Sequence, residues 1–246
     1  NILLIVNYRP QFVHGWNNKS YFTQIRLDPL GDAKAKEMLA AMLGDGAQLS
    51  DLKRLIVEKS SGTPFFMEEM VKALFDDGTL ARDGNIVLTK KLEDLDIPSS
   101  VQAILAARID RLPSHAKEIL QTLAVIGKEF SISLIVAVTS IPKDVIEKQL
   151  KELQLGEFIY EKPVSGEKGY VFKSALTQDV AYNTLLIERR KILHERIGVS
   201  IEAIYPVSID DHVAALAYHY GRSNNVDAGI QYLTHSGRQK MLEARK

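Results

Sequence analysis

Three places in the chain carry residues whose type and position could meet a ligand. Arg9 closes an apolar run, Gly62-Thr63-Pro64 interrupts a helical pattern, and Lys173-Ser174 follows the apolar triplet Tyr170-Val171-Phe172. A guanidinium at the C-terminal end of a strand suits an anionic ligand, because ligands of open α/β sheets sit at that edge. An ordinary surface arginine explains Arg9 as well. In the second place, glycine permits a sharp turn and proline fixes a helix start, leaving a flat apolar face. A simple helix-breaking turn accounts for the same residues. Ser174 has one hydroxyl, which serves a ligand or caps the helix predicted to begin at Ala175. Glu68 and Glu69 fall near the start of a helix, where carboxylates favour the positive end of its dipole, a structural role rather than acid–base chemistry.

The reaction motifs are missing. There is no G-x-x-x-x-G-K-[ST] phosphate loop and no acidic pair after an apolar strand to hold Mg²⁺, so these residues alone are expected to have no ATPase activity. A Gly-x-Ser-x-Gly elbow and a cysteine nucleophile are also absent, and no catalytic residue is expected. Of the six histidines, His212 and His219 are seven apart, but no third ligand accompanies them and no metal site is expected. His194 reads as a structural part of its segment.

The balance of 31 basic and 31 acidic residues gives a formal net charge of zero, which opposes a nucleic-acid reader, whose surface must meet phosphates. An apolar fraction of 46% suits a folded globular chain, and zero cysteines suit a reducing cytoplasm. No apolar run approaches the ~20 residues that span a bilayer, so no membrane partner is expected.

The elements that must position these residues are read from periodicity. Ile2–Val6 and Tyr21–Leu27 read as strands of a buried parallel sheet whose remainder is expected upstream of Asn1. Helices are predicted from Asp32 to Gly44, over Leu52–Lys59 and over Phe65–Phe75, followed by a hairpin turning at Asp83-Gly84. Pro98-Ser99-Ser100 starts a helix with the stripe Val101, Ile104, Leu105, Arg108, Ile109 and Leu112. Further helices are predicted from Pro113 to Gly127, over Ile132–Thr139 and over Lys143–Leu155. A hairpin then pairs Phe158–Tyr160 with Tyr170–Phe172, the element order of a winged helix-turn-helix. Ala175–Tyr205 reads as a long helical stretch, with two helices around Asp210–Arg222 and Val226–Arg245 after it.

The segments NILLIVNYRPQF, SSGTPFFMEEMVKAL, IPSSVQAILAARIDRLP, LQTLAVIGKEF and YVFKSALTQDVAYNTLLIERRKILHERI occur in one order. As a set they resemble the AAA-type ATPase region of bacterial adenylate/guanylate cyclases with tetratricopeptide repeats, members of the STAND class of signalling NTPases. The resemblance implies a mainly α chain. Residues 1–30 would close a P-loop-type α/β domain, 31–97 form a helical lid, 98–190 a winged helix with a β-hairpin wing, and 191–246 the start of an α-solenoid. It implies that Arg9 is a sensor for the γ-phosphate and that Gly62 and Pro64 belong to a lid motif whose proline packs on adenine. Relatives commonly carry His where this chain has Ser174, and that His is held to contact the β-phosphate of ADP. Ser174 cannot carry a charge, so the contact would be weakened or taken over by Lys173. No cofactor is expected in these residues, and ATP or ADP with Mg is implied for the parent protein. The implied partners are upstream nucleotide-binding and cyclase domains and a protein held by the terminal repeats. A DNA-binding winged helix is the alternative, opposed by the mixed signs of Lys143, Asp144, Glu147, Lys148, Lys151 and Glu152; a pure interaction scaffold is another.

Overall fold

The computed structural model describes residues 3–8, 12, 15, 22–25, 27–92, 95, 98–164 and 166–243. These residues build a mainly helical protein with two small antiparallel sheets. Helix α1 (Asp32–Leu43) buries Ala35, Leu39 and Leu43 at four-residue intervals, and Gly44 ends it, its N–H donating to the Ala40 carbonyl at 2.8 Å. Helix α2 (Ser50–Ser60) turns Leu52 and Ile56 inward, and α3 (Pro64–Asp76) adds Met67, Met70, Val71 and Leu74. Strands β1 (Leu80–Asp83) and β2 (Asn85–Leu88) form the predicted hairpin, with Leu80 opposite Leu88 and Arg82 opposite Ile86. Together these side chains form a first core.

Helix α4 (Val101–Asp110) begins where Ser100 Oγ accepts the Ala103 N–H at 3.2 Å, a serine N-cap. Its neighbouring residues face different ways. Ile104 closes the first core, whereas Leu105 and Ile109 enter a second. That second core is built by α5 (Ser114–Ile126), β3 (Glu129–Ser131), α6 (Ile132–Thr139), α7 (Lys143–Leu155), β4 (Ile159–Glu161) and β5 (Gly169–Phe172). The strands lie in the order β3-β5-β4, both pairs antiparallel. Helices α8 (Ala175–Asn183), α9 (Ile187–Ile204), α10 (Val213–Tyr220) and α11 (Val226–Glu243) complete the chain. Leu193, Ile197 and Leu216 carry the second core into α9 and α10.

The structure departs from the sequence reading in two places and refines it in a third. Among the described residues, 3–8 and 22–25 form no strand, and Leu3, Leu4 and Ile5 are exposed. An apolar run becomes a buried strand only when other strands and helices cover it, and no strand of the described residues lies beside these. Strand β3 escaped the sequence reading because it is three residues long and its last residue, Ser131, also caps α6 by accepting the Leu134 N–H. The helical stretch 175–205 is divided into α8 and α9. Thr184 Oγ1 bonds the Ala181 carbonyl at 2.6 Å, and Arg190 Nε reaches back to the Leu185 carbonyl at 3.0 Å, which together stabilise the break.

Candidate functional site

The turn that opens α3 is pinned to the chain before α1. The Leu30 N–H donates to the Gly62 carbonyl at 2.8 Å, and Gly62 adopts φ +71°. A Cβ at this position would lie 2.1 Å from the Leu30 carbonyl oxygen, so glycine alone fits. Pro64 occupies the first turn of α3, where its missing N–H costs nothing, and its ring is exposed.

One residue on, the Phe65 ring lies 5.9 Å from the Lys173 ammonium. Lys173 adjoins Ser174, whose Oγ accepts the Thr177 N–H at 3.0 Å and caps α8. The Pro64 turn and the α8 N-terminus therefore meet through adjacent residues, although 110 positions separate Pro64 from Ser174. Arg9 lies outside the described residues.

Beneath this meeting point, α3 presents a ladder of charges. Glu68 and Glu69 each accept from Lys173 Nζ at 3.3 Å. Glu69 is only 1% exposed, and its second oxygen pairs with Arg108 Nη1. The Arg108 guanidinium, itself buried, also donates to Asp76 Oδ2 at 2.6 Å and to the Gly156 carbonyl at 2.8 Å. Its flat face lies 4.8 Å from the Phe158 ring. Glu157 accepts from Lys72 and, at 3.3 Å, from Lys173. Three cations (Lys72, Arg108, Lys173) thus face four carboxylates (Glu68, Glu69, Asp76, Glu157). With each cation already paired, the cluster holds two units together rather than offering an empty anion cradle.

Its titration follows from this crowding. Burial is the largest influence on Lys72 and lowers its pKa. Burial also opposes charge on Lys173, but the carboxylates of Glu69 and Glu157 beside it outweigh burial and the pKa rises. The Lys72 ammonium in turn holds the Glu157 carboxyl below its usual range. Lys173 therefore remains the charged tie between α3 and the start of α8.

A second buried polar group joins the later helices. His194 of α9 and His219 of α10 meet Nδ1 to Nδ1 at 2.9 Å, and Tyr182 Oη lies 3.1 Å from His194 Nε2. Desolvation lowers His194 to about 4, helped by Arg222 and Arg190, and lowers His219 to about 3, helped by His194 and Arg222. Both rings are neutral at physiological pH, so one Nδ1 donates and the other accepts. Beside them, Glu202 accepts from Tyr220 Oη at 2.7 Å and Tyr232 Oη at 2.6 Å, tying α9, α10 and α11. Among the described residues no three His, Asp or Glu side chains are grouped to hold a metal ion. No helix of the described residues is long and apolar enough to cross a membrane.

Sequence reasoning named Gly62, Pro64 and Ser174 but missed Arg108, Lys72 and Glu157. A signal for Arg108 was present: it falls on the apolar stripe of α4, where a charge must find a buried partner. Glu69 is more than a dipole residue, since it is the carboxylate that Arg108 finds. His194 and His219 are 25 residues apart, a separation no local pattern reveals.

Comparison with known proteins is sparse. No family model matches the chain. It is 25% identical, over 256 residues, to an uncharacterized protein of Rhizobium meliloti (strain 1021), a match that covers 100% of this chain. The chain spans about a quarter of that relative, 24% of its length.

Proposed function

We propose that the chain is the regulatory part of a STAND-type ATPase, within a larger cytoplasmic protein joined to a nucleotide cyclase, and that it converts nucleotide state into a rearrangement of helical units. One observation carries this reading. The Gly62-Thr63-Pro64 turn and the Ser174 cap, the lid and off-state positions of the resembled class, meet through Phe65 and Lys173. A nucleotide seated against Pro64 would lie at the head of α3. That helix carries Glu68, Glu69 and Lys72 onto Lys173, Arg108 and Glu157, so a displacement at the turn is passed to the unit behind it.

The helix order and the strand order β3-β5-β4 support a winged helix within residues 98–190, with β4 and β5 as its wing. Its α7 carries charges of both signs. Glu152 is already engaged by His115 at 2.8 Å, and Glu147 lies 3.5 Å from Lys168 of the wing. Such a surface suits protein contacts better than the phosphates of a DNA groove. Helices α10 and α11, folded against each other by the five-residue connection 221–225, suit the first pair of a repeat array.

The test is nucleotide binding by a longer protein that includes the segment preceding Asn1. ATP or ADP should bind, and Pro64→Gly should weaken binding by about tenfold, the loss of roughly 1.4 kcal/mol of contact with the base. Absence of binding in that longer protein would overturn the reading.

A further inference from the structure

The turn between α7 and β4 is held, residue by residue, by groups outside the α7–β5 segment. The Gly156 carbonyl accepts from Arg108 at 2.8 Å, the Glu157 carboxylate accepts from Lys72, and the Phe158 ring lies 4.8 Å from the Arg108 guanidinium. Lys72 belongs to α3 and Arg108 to α4, and Arg108 is itself fixed by Glu69 and Asp76 of α3. The turn also has an unusual backbone. Glu157 has φ +54°, a left-handed conformation that disfavours a residue with a Cβ, while the glycine lies one position earlier with an ordinary φ of −74°. Glu157 is the left-handed C′ residue of the α7 C-cap, with its own N–H and that of Phe158 bonded to carbonyls of the last helical turn, and the charges of α3 and α4 act on top of that cap.

We propose that Gly156-Glu157-Phe158 is a charge-held hinge, kept in its left-handed form by α3 and relaxing when α3 withdraws. In the docked state, Lys72 and Arg108 fix the direction in which the chain leaves α7 and enters β4. If α3 shifts, Glu157 loses Lys72 and keeps only Lys173, Gly156 loses its donor as Arg108 follows Glu69 and Asp76, and the turn relaxes toward an ordinary backbone. The Glu157 N–H now bonds the Gln154 carbonyl at 2.9 Å and the Phe158 N–H bonds the Leu153 carbonyl at 2.9 Å, so relaxation also loosens the last turn of α7. The winged unit would in this way sense the position of α3 at the base of its central helix. This names the regulation of the site proposed above and rests on that reading for its use. The hinge itself needs no nucleotide.

Amide hydrogen exchange on the whole 246-residue chain tests it. Lys72→Met should speed exchange at residues 156–160 by about fivefold to tenfold, the factor that corresponds to ~1 kcal/mol of released backbone strain. The amides of Leu120 and Leu123 in α5 should not change. Adding Glu157→Gly, which accepts the left-handed backbone without a Cβ penalty, should return the turn to within about twofold of wild-type exchange. Unchanged exchange in Lys72→Met would overturn the proposal. So would an equal rise throughout the chain, which means general destabilisation, and so would a failure of Glu157→Gly to restore the turn. Because no nucleotide is present, each result is separate from the fate of the nucleotide-binding reading.

Discussion

Replacing Arg108 with methionine removes the cation that serves Glu69, Asp76 and the Gly156 carbonyl at once. Glu69 is 1% exposed and would keep only Lys173 at 3.3 Å and Lys72 at 3.7 Å. Breaking a buried ion pair from one side costs about 3–5 kcal/mol, and the two lysines offset part of that. The carbonyl stripped of its donor adds about 1 kcal/mol. The expected destabilisation is therefore about 3 kcal/mol, or a fall in Tm of roughly 6–12 °C for a chain of this size. The companion variant matters more than the number. Glu69→Met combined with Arg108→Met removes both buried charges and should cost at least about 2 kcal/mol less than the two single changes added together. Urea unfolding followed by circular dichroism at 222 nm measures all four proteins. Additive single effects, or an Arg108→Met cost below about 1 kcal/mol, would refute the view that this pair joins the two cores.

Other perturbations follow from the same geometry. Gly62→Ala places a Cβ 2.1 Å from the Leu30 oxygen at φ +71°, so it should destabilise by about 3 kcal/mol or more in the same unfolding assay. Ser174→Ala removes the cap of α8 and should cost about 1 kcal/mol. For the histidine pair the sign is set by their lowered values, about 4 and about 3. The unfolded chain binds more protons below the ordinary value, so stability is complete well above pH ~6.5 and falls as pH drops toward 4, by on the order of 3 kcal/mol for each ring. His219→Gln should flatten that slope in unfolding measured from pH 7 to 4.

The helices were legible because their buried residues recur at three and four positions. Ala35, Leu39 and Leu43 of α1 mark out one face, and the caps Ser100 and Gly44 mark ends. The hairpin of β1 and β2 was equally plain, since Asp83-Gly84 dictates the turn. Strand β3 was not, because three residues carry no period, and its pairing with β5 spans about forty positions. The candidate site was half legible. Gly62 and Pro64 announce themselves by their backbone chemistry and Ser174 by its place before α8. The ion cluster did not, because a buried charge is recognised only with its partner, and Arg108 finds Glu69 39 residues away. The exposed run Leu3–Ile5 shows the opposite limit: β-branched and leucine content states a preference for burial but supplies no partner.

The central claim is that nucleotide state reaches the winged unit through α3. Its most direct test is amide exchange at residues 156–160 of a longer protein in which binding of both nucleotides has been measured, compared between ADP and a non-hydrolysable ATP analogue. The account predicts that protection of this turn differs between the two nucleotides by about fivefold or more and that Arg108→Met abolishes the difference while nucleotide still binds. Equal protection in both states, with both nucleotides bound, would contradict it.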